Sequence, residues 1–300
     1  MPLVHERTFR IRHYECDAYG HVNNVNYLRY MQEATFDAAA AAGYGLARHV
    51  ALGHHWLIRE TEIEYLRPLV YGDSARVKTW VADFRRVRLW RVHELYNAAS
   101  GELAARGSTE WVYLNSTTGQ PAAIPSEMIA AFFPEGAPAP AARRDPFPEP
   151  PPPPPGVFTL RRRVRWPDVD PLRHVNNAVY LSYAEDCGFQ VGDHFGWAPQ
   201  RMWEAGFAIL PRRHHVEYRQ AAVFGDEVEV ATWAYDIKRA TGTRHYLITR
   251  VADGAVLARV NSLYVWVDRE ALRPMRVPPA ILADFAPNIV GLAPQDRPAD

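Results

Sequence analysis

"DAYGHVNN" (residues 17–24) and "DPLRHVNN" (residues 170–177) set the same acid, histidine, valine and asparagine pair twice into one chain of 300 residues. Each copy runs directly into a stretch with helical spacing, "NVNYLRYMQEATFDAAAAAG" from Asn24 and "NAVYLSYAEDCGFQVGDHFG" from Asn177. In the first, Tyr27, Tyr30, Met31 and Ala34 recur at the helix period and Gly43 supplies a stop signal. Asparagine is favoured at a helix start because its side-chain oxygen accepts from the first-turn N–H groups. An aspartate one turn earlier complements the positive end of the helix dipole. A cap, however, needs one residue; it does not need an acid and an imidazole four apart as well.

The copies lie 153 residues apart, and that offset holds without a gap along most of the chain. Glu64 and Tyr65 fall on Glu217 and Tyr218, Gly72 and Asp73 on Gly225 and Asp226, and Trp80 on Trp233. "ELAARGSTEWVYLN" (102–115) lies over "AVLARVNSLYVWVD" (255–268). Across 17–30 against 170–183, eight of fourteen positions are identical, whereas from 31 to 63 only six of thirty-three match. The two copies have diverged least where an acid and a histidine meet a helix start. Two units of domain size are expected, residues 1–133 and 157–286, with a tail over 287–300. Between them "PEGAPAPAARRDPFPEPPPPPPG" (134–156) reads as a semi-rigid polyproline spacer.

Composition sets the class. Lys+Arg and Asp+Glu balance at 34 each, so no field favours nucleic acid or an anionic membrane. The first residues lack the apolar stretch of a signal peptide, and no run approaches the ~20 apolar residues of a membrane span. Two cysteines, Cys16 and Cys187, make neither a disulfide framework nor a metal site. A cytoplasmic address is expected, with no metal and no cofactor. The histidine pairs at 54–55 and 214–215 sit at different offsets in the two copies, and neighbours on a strand face opposite ways. Cys16 is matched by Val169, which argues against a shared nucleophilic thiol.

Each unit reads as an initial strand ("TFRIRHYE", "TLRRRVRW"), one helix, and about four strands rich in Val, Trp, Tyr and Thr. The last two strands are joined at "SG" (100–101) and "DG" (253–254), both hairpin signals. An α+β fold follows, an antiparallel sheet packed on a single long helix.

The pattern D-x-x-x-H-V-N-N-x-x-Y at the head of that helix, with "YGD" or "FGD" downstream, resembles the hotdog-fold acyl-thioester hydrolases. The likeness is to the 4-hydroxybenzoyl-CoA thioesterase branch and, with two units in one chain, to acyl-ACP thioesterases. The resemblance implies two tandem hotdog domains forming an intramolecular pseudo-dimer, with active sites between the halves; further pairing of chains stays open. It implies hydrolysis of an acyl-CoA or acyl-ACP, within fatty acid metabolism, to a free acid and a thiol.

The chemistry fits, because a thioester's carbonyl oxygen gains negative charge during attack and a helix start offers N–H donors there. By the family motif, the amides of Asn24 and Asn177 are the oxyanion donors, and Asp17 and Asp170 act as general base or nucleophile. His21 and His174 assist the base, orient substrate or make a structural hydrogen bond. Tyr27 and Tyr180 are weaker candidates for substrate contacts. Gly20, usual before this turn in CoA-type enzymes, becomes Arg173 in copy two, where it would crowd the pocket or bind a phosphate. Tyr19 and Leu172 stand where plant-type acyl-ACP enzymes carry an asparagine. Glu33 and Asp186 are an auxiliary carboxylate or a solvated pair, and the nine tryptophans build core and acyl pocket. Two rival readings remain: a hotdog enoyl-CoA hydratase or dehydratase, and a non-catalytic acyl-CoA-binding module.

Overall fold

The computed structural model describes residues 1–136 and 145–292, in two compact units, Met1–Asp145 and Pro146–Asp300. Of the expected spacer and tail, residues 137–144 and 293–300 lie outside the described residues.

Unit 1 runs β1 (Val4–Arg10), α1 (Asn24–Ala41), α2 (Leu46–Ala51), β2 (His54–Tyr65), β3 (Ser74–Arg85), β4 (Arg88–Asn97), β5 (Leu103–Asn115) and α3 (Ser126–Phe132). Unit 2 repeats the sequence of elements as β6 (Phe158–Arg163), α4 (Asn177–His194), α5 (Pro199–Glu204), β7 (Phe207–Tyr218), β8 (Glu227–Tyr235), β9 (Thr241–Arg250), β10 (Val256–Asp268) and α6 (Pro279–Phe285). In unit 1 the strands pair antiparallel in the order β1-β3-β4-β5-β2, and in unit 2 in the order β6-β8-β9-β10-β7. The first strand of each unit thus pairs with the third, and the long helix fills the connection between first and second.

Alternation of side chains fixes which face meets the helix. Along β3, Ala75, Val77, Thr79, Val81 and Asp83 are buried while their neighbours are not, the period of a half-buried strand. From α1 the residues Tyr27, Leu28, Tyr30, Met31, Ala34 and Ala38 turn inward, the i, i+3, i+4 face of an amphipathic helix. Gly107 on β5 lets that face approach: a Cβ there would stand 2.8 Å from Met31 Cε and 2.9 Å from the Glu62 carbonyl oxygen.

Both hairpins form where "SG" and "DG" place them. Gly101 and Gly254 take φ of 72° and 68°, and the Asn97 side chain accepts from the amides of Ala99 and Ser100 to close the first.

Three expectations change. The first strands end at Arg10 and Arg163, because His13–Glu15 and Trp166–Asp168 coil into single 3-10 turns. Each unit carries two short helices besides the long one, and those at α3 and α6 start directly after Pro125 and Pro278, where a missing N–H costs nothing.

The spacer's second half is not free of unit 2. Phe147 is buried with its ring 4.9 Å from His215, Arg259 stacks on it, and Trp233 Nε1 donates to the Pro151 carbonyl at 3.1 Å. One aromatic residue among the prolines is enough to pin the segment. The tail joins the same unit, with Asn288 fully buried and Ile289 bridged to Ala234. Among the described residues no helix is long and apolar enough to cross a membrane.

Gly107→Ala should destabilise the protein by about 1–3 kcal/mol, the usual cost of overpacking against backbone. A urea melt that leaves the midpoint unchanged would show that α1 does not sit tightly on β5.

Candidate active site

The repeated motif is a turn hung between the 3-10 segment and the long helix. Asp17 N donates to His21 O at 2.8 Å, and Gly20 N donates to Asp17 O at 3.0 Å. The Asp17 side chain closes the same turn, its Oδ1 accepting from Tyr19 N at 2.9 Å and His21 N at 3.3 Å. An aspartate that bonds the backbone two residues on is the usual way to stabilise such a turn.

Copy two repeats the arrangement. Asp170 N donates to His174 O at 2.9 Å, Arg173 N to Asp170 O at 2.8 Å, and Leu172 N to Asp170 Oδ1 at 2.9 Å. One oxygen of each acid is therefore committed to the turn. The other oxygen of Asp170 lies 3.4 Å from Asn176 Nδ2, which ties the acid to the helix start.

Gly20 takes φ 81° and Arg173 takes φ 64° at the matching position. The turn demands a left-handed residue there, and the arginine adopts that conformation in place of the usual glycine.

The helix begins with a cap on Asn23 rather than Asn24. Asn23 Oδ1 accepts from Val25 N, and Asn176 Oδ1 from Ala178 N, both at 3.0 Å. Asn24 and Asn177 are the first helical residues, whose amides belong to the turn where N–H groups point along the axis out of the helix. Their carbonyls accept from Tyr65 Oη at 3.2 Å and Tyr218 Oη at 3.1 Å, hydroxyls at the ends of β2 and β7. Asp17 and His21 thus close one short turn and Asn24 opens the helix three residues on, as do Asp170, His174 and Asn177 in copy two.

Tyr27 and Tyr180 stand one turn into the long helix. Both are buried, and their hydroxyls accept from Leu69 N at 3.2 Å and Ala222 N at 2.9 Å. They fix the loop behind the motif. Burial, partly offset by the Ala222 amide, pushes the Tyr180 phenol up to about 12. Burial also pushes up the phenol of Tyr19, with the Asp17 carboxylate as second cause, so that charge acts on the ring two residues away.

Two buried acids escaped the sequence reading, Glu15 and Asp168. Their side chains accept from the amides of Arg12 and Arg165, and their carbonyls accept from the amides of the capping residues Asn23 and Asn176. Tyr183 Oη donates to Asp168 Oδ2 at 3.0 Å. They occupy matching positions, but as Glu and Asp they do not count as an identity; chemical type would have found them.

The remaining candidates lie off the motif. Glu33 and Asp186 face Arg7 and Arg162 at 3.8 and 3.1 Å. His54 stacks on Tyr113, His55 meets Ser116 Oγ, and His214 Nδ1 meets Ser262 Oγ at 2.7 Å. Among the described residues no three His, Cys, Asp or Glu side chains gather as metal ligands.

The family model of the Thioesterase-like superfamily matches residues 11–132 and again 164–285. The chain belongs to that superfamily. Both matched segments contain the turn and the long helix of their unit. Among curated relatives, a chloroplastic acyl-(acyl-carrier-protein) hydrolase of Cuphea viscosissima is 27% identical over 190 residues, covering 60% of this chain and 46% of its own. The chloroplastic dodecanoyl-(acyl-carrier-protein) hydrolase of Umbellularia californica is 25% identical, with 60% and 50% covered. This superfamily member spans about half the length of the curated relatives it matches. Solved structures share its fold: a putative oleoyl thioesterase of Lactobacillus plantarum superposes with TM-score 0.75 at 20% identity over 88% of this chain and 96% of that one. The 12:0-ACP thioesterase of Umbellularia californica gives 0.70, also at 20% identity, over 88% and 94%.

Gly20→Ala should cost about 1–2 kcal/mol, the penalty of a left-handed residue bearing a Cβ. Arg173→Gly, which relieves that penalty, should leave stability unchanged or raise it. Thermal melts of the two variants compare them, and equal effects would mean the turn imposes no such constraint.

Proposed function

We propose that the chain hydrolyses acyl thioesters carried on coenzyme A or on an acyl-carrier protein. The observation that carries this reading is that, in each unit, an aspartate closes the turn that leads into the start of the long helix. A thioester carbonyl placed at the Asn24 amide would have its growing negative charge met by an N–H and by the positive end of the dipole.

Asp17 would then serve as general base. Its Oδ1 is held by two amides, which leaves Oδ2 to take a proton from water as the water oxygen attacks the carbonyl carbon. Collapse breaks the C–S bond, the thiolate takes up a proton, and the carboxylic acid leaves. The same carboxylate could attack directly to form an anhydride; turnover in oxygen-labelled water would then leave label in the aspartate.

His21 shares the turn and supports the acid through its backbone amide, with a further role for its ring in orienting substrate. The matching set is Asp170, His174 and Asn177, in the unit where Arg173 stands beside the acid and presents a cation to substrate phosphate. That curated relatives act on acyl-carrier-protein thioesters favours a carrier-bound acyl group. The proposed setting is the cytoplasm, where the free thiols Cys16 and Cys187 stay reduced.

Asp17→Asn should lower turnover at least ~10²-fold, as expected for a lost acid–base group, while keeping the Oδ1 acceptor that closes the turn. Release of free thiol from a panel of acyl-CoA and acyl-ACP substrates measures it. Full activity in the Asp17→Asn, Asp170→Asn double variant would refute the assignment. Hydration of an enoyl-CoA, or tight binding without turnover, would replace it with one of the rival readings.

A further inference from the structure

Inside unit 1, four polar side chains interrupt the apolar face of the sheet. Thr79 on β3, Arg91 and His93 on β4, and Thr109 on β5 are all at most 4% exposed. They stand as a two-by-two patch, since Thr79 pairs with His93 and Arg91 with Thr109 across the strands. Their mutual bonds are long: Arg91 Nη1 to Thr79 Oγ1 is 3.4 Å and His93 Nε2 to Thr109 Oγ1 is 3.3 Å. Among the described residues, Arg91 Nε and His93 Nδ1 have no hydrogen-bond partner.

The tautomer of His93 that offers an anion a donor is the one in which the Thr109 hydroxyl, itself accepting from Trp111 Nε1 at 2.8 Å, donates to His93 Nε2. A neutral imidazole that accepts at Nε2 carries its proton on Nδ1. Burial and the Arg91 charge hold His93 well below its usual range, hence neutral. Burial lowers Arg91 only to about 10, so it stays charged, and no carboxylate among the described residues acts on it. The patch therefore presents two unsatisfied donors and an uncompensated cation in a core, an arrangement that calls for an anionic acceptor.

Unit 2 shows the same lattice closed. Its four positions hold Thr232, Arg244, Tyr246 and Ser262. Arg244 Nη1 donates to Asn288 Oδ1 at 2.8 Å, Tyr246 Oη meets Tyr264 Oη at 2.9 Å, and Ser262 Oγ meets His214 Nδ1 at 2.7 Å. Gly188 on α4 makes room for the tyrosine, because a Cβ there would lie 2.7 Å from Tyr246 Oη. In unit 1 the residue matching Asn288 is Glu135, which is exposed and pairs with the chain's amino terminus instead. The smaller His93 replaces the tyrosine, and Thr35 replaces the glycine.

We propose that Thr79, Arg91, His93 and Thr109 form a carboxylate-binding site inside unit 1, for which unit 2 carries the plugged copy. A guanidinium edge and an imidazole N–H match the two oxygens of a carboxylate better than they match a spherical ion. The carboxylate arrives either as a small free acid or as the end of a bound aliphatic acid. The inference does not rest on the hydrolase reading, and inactivity of the protein toward thioesters would leave it standing.

The test is thermal melting of the full chain with sodium formate and, separately, sodium octanoate, at ionic strength held constant with fluoride. The wild type should show a saturable rise of about 5 °C at a hundredfold excess over the dissociation constant. Arg91→Met should abolish it, and His93→Tyr combined with Thr35→Gly, which copies unit 2, should weaken binding at least tenfold while retaining the arginine. Octanoate saturating at least tenfold below formate would identify the end of an aliphatic acid; formate binding as tightly or more so would identify a small free carboxylate. If neither ligand raises the wild-type melt saturably, or if the His93→Tyr, Thr35→Gly variant responds as the wild type does, the site does not exist; that comparison decides the matter even if Arg91→Met fails to fold.

Discussion

The start of the long helix is held by main chain passed from hand to hand, and the candidate site depends on that tether. In unit 1 the Glu15 carbonyl accepts from the Asn23 amide at 2.9 Å and from Asn26 Nδ2 at 2.8 Å; in unit 2 the Asp168 carbonyl accepts from the Asn176 amide at 3.0 Å. Buried carbonyls and amides must find partners somewhere, and here they find each other across the motif turn. The acid's backbone is thereby fixed ahead of the first helical turn, and its own carboxylate closes the turn with the amides it accepts. Tyr65 and Tyr218 complete the tether from the sheet side by donating to the first helical carbonyl.

That arrangement explains why the motif is longer than a cap. For a cap, Asn23 or Asn176 is enough, each accepting from one first-turn amide, that of Val25 or Ala178. The aspartate and the backbone of the histidine close the loop before it, and the tyrosine one turn on, Tyr27 or Tyr180, accepts from the loop behind it. Identity between the copies follows this list closely. What looks like a catalytic signature in sequence is thus in part a folding signature, with Asp17, His21 and Asn23 closing a turn that also brings an acid to a helix start. The two roles are compatible, since a carboxylate oriented by backbone N–H groups is already positioned for chemistry.

The duplication, the long helix, the hairpins and the sheet were legible because each rests on a local rule: an unbroken offset of 153, a 3.6-residue apolar period, and glycine in a tight turn. The 3-10 turns were not, because "HYE" and "WPD" carry no periodic signal and form only when the buried Glu15 and Asp168 reach back to Arg12 and Arg165. Tyr27 and Tyr180 stand out in the sequence as matched aromatics and as weaker candidates for substrate contacts. Only tertiary contacts reveal that their hydroxyls are engaged by Leu69 and Ala222. The cap itself was legible as asparagine, but which of two adjacent asparagines it is depends on where the turn before it ends.

Divergence after duplication is most informative where the polar lattice of the two units differs. An arginine reaching a threonine hydroxyl occurs in both, buried in unit 1 and half-buried in unit 2, each guanidinium 5.5–5.6 Å from a phenylalanine ring, Phe132 or Phe285. Keeping an arginine in a core is costly unless its donors are met. Unit 2 meets them with Asn288, reached by carrying the chain past α6 back onto β8, where the asparagine amide also donates to the Thr232 carbonyl at 2.9 Å. Unit 1 has the same arginine and, among the described residues, no such return: Glu135 pairs with the amino terminus instead. An internal charge kept in one copy without, among the described residues, the asparagine that meets it in the other is the asymmetry on which the proposed carboxylate site rests.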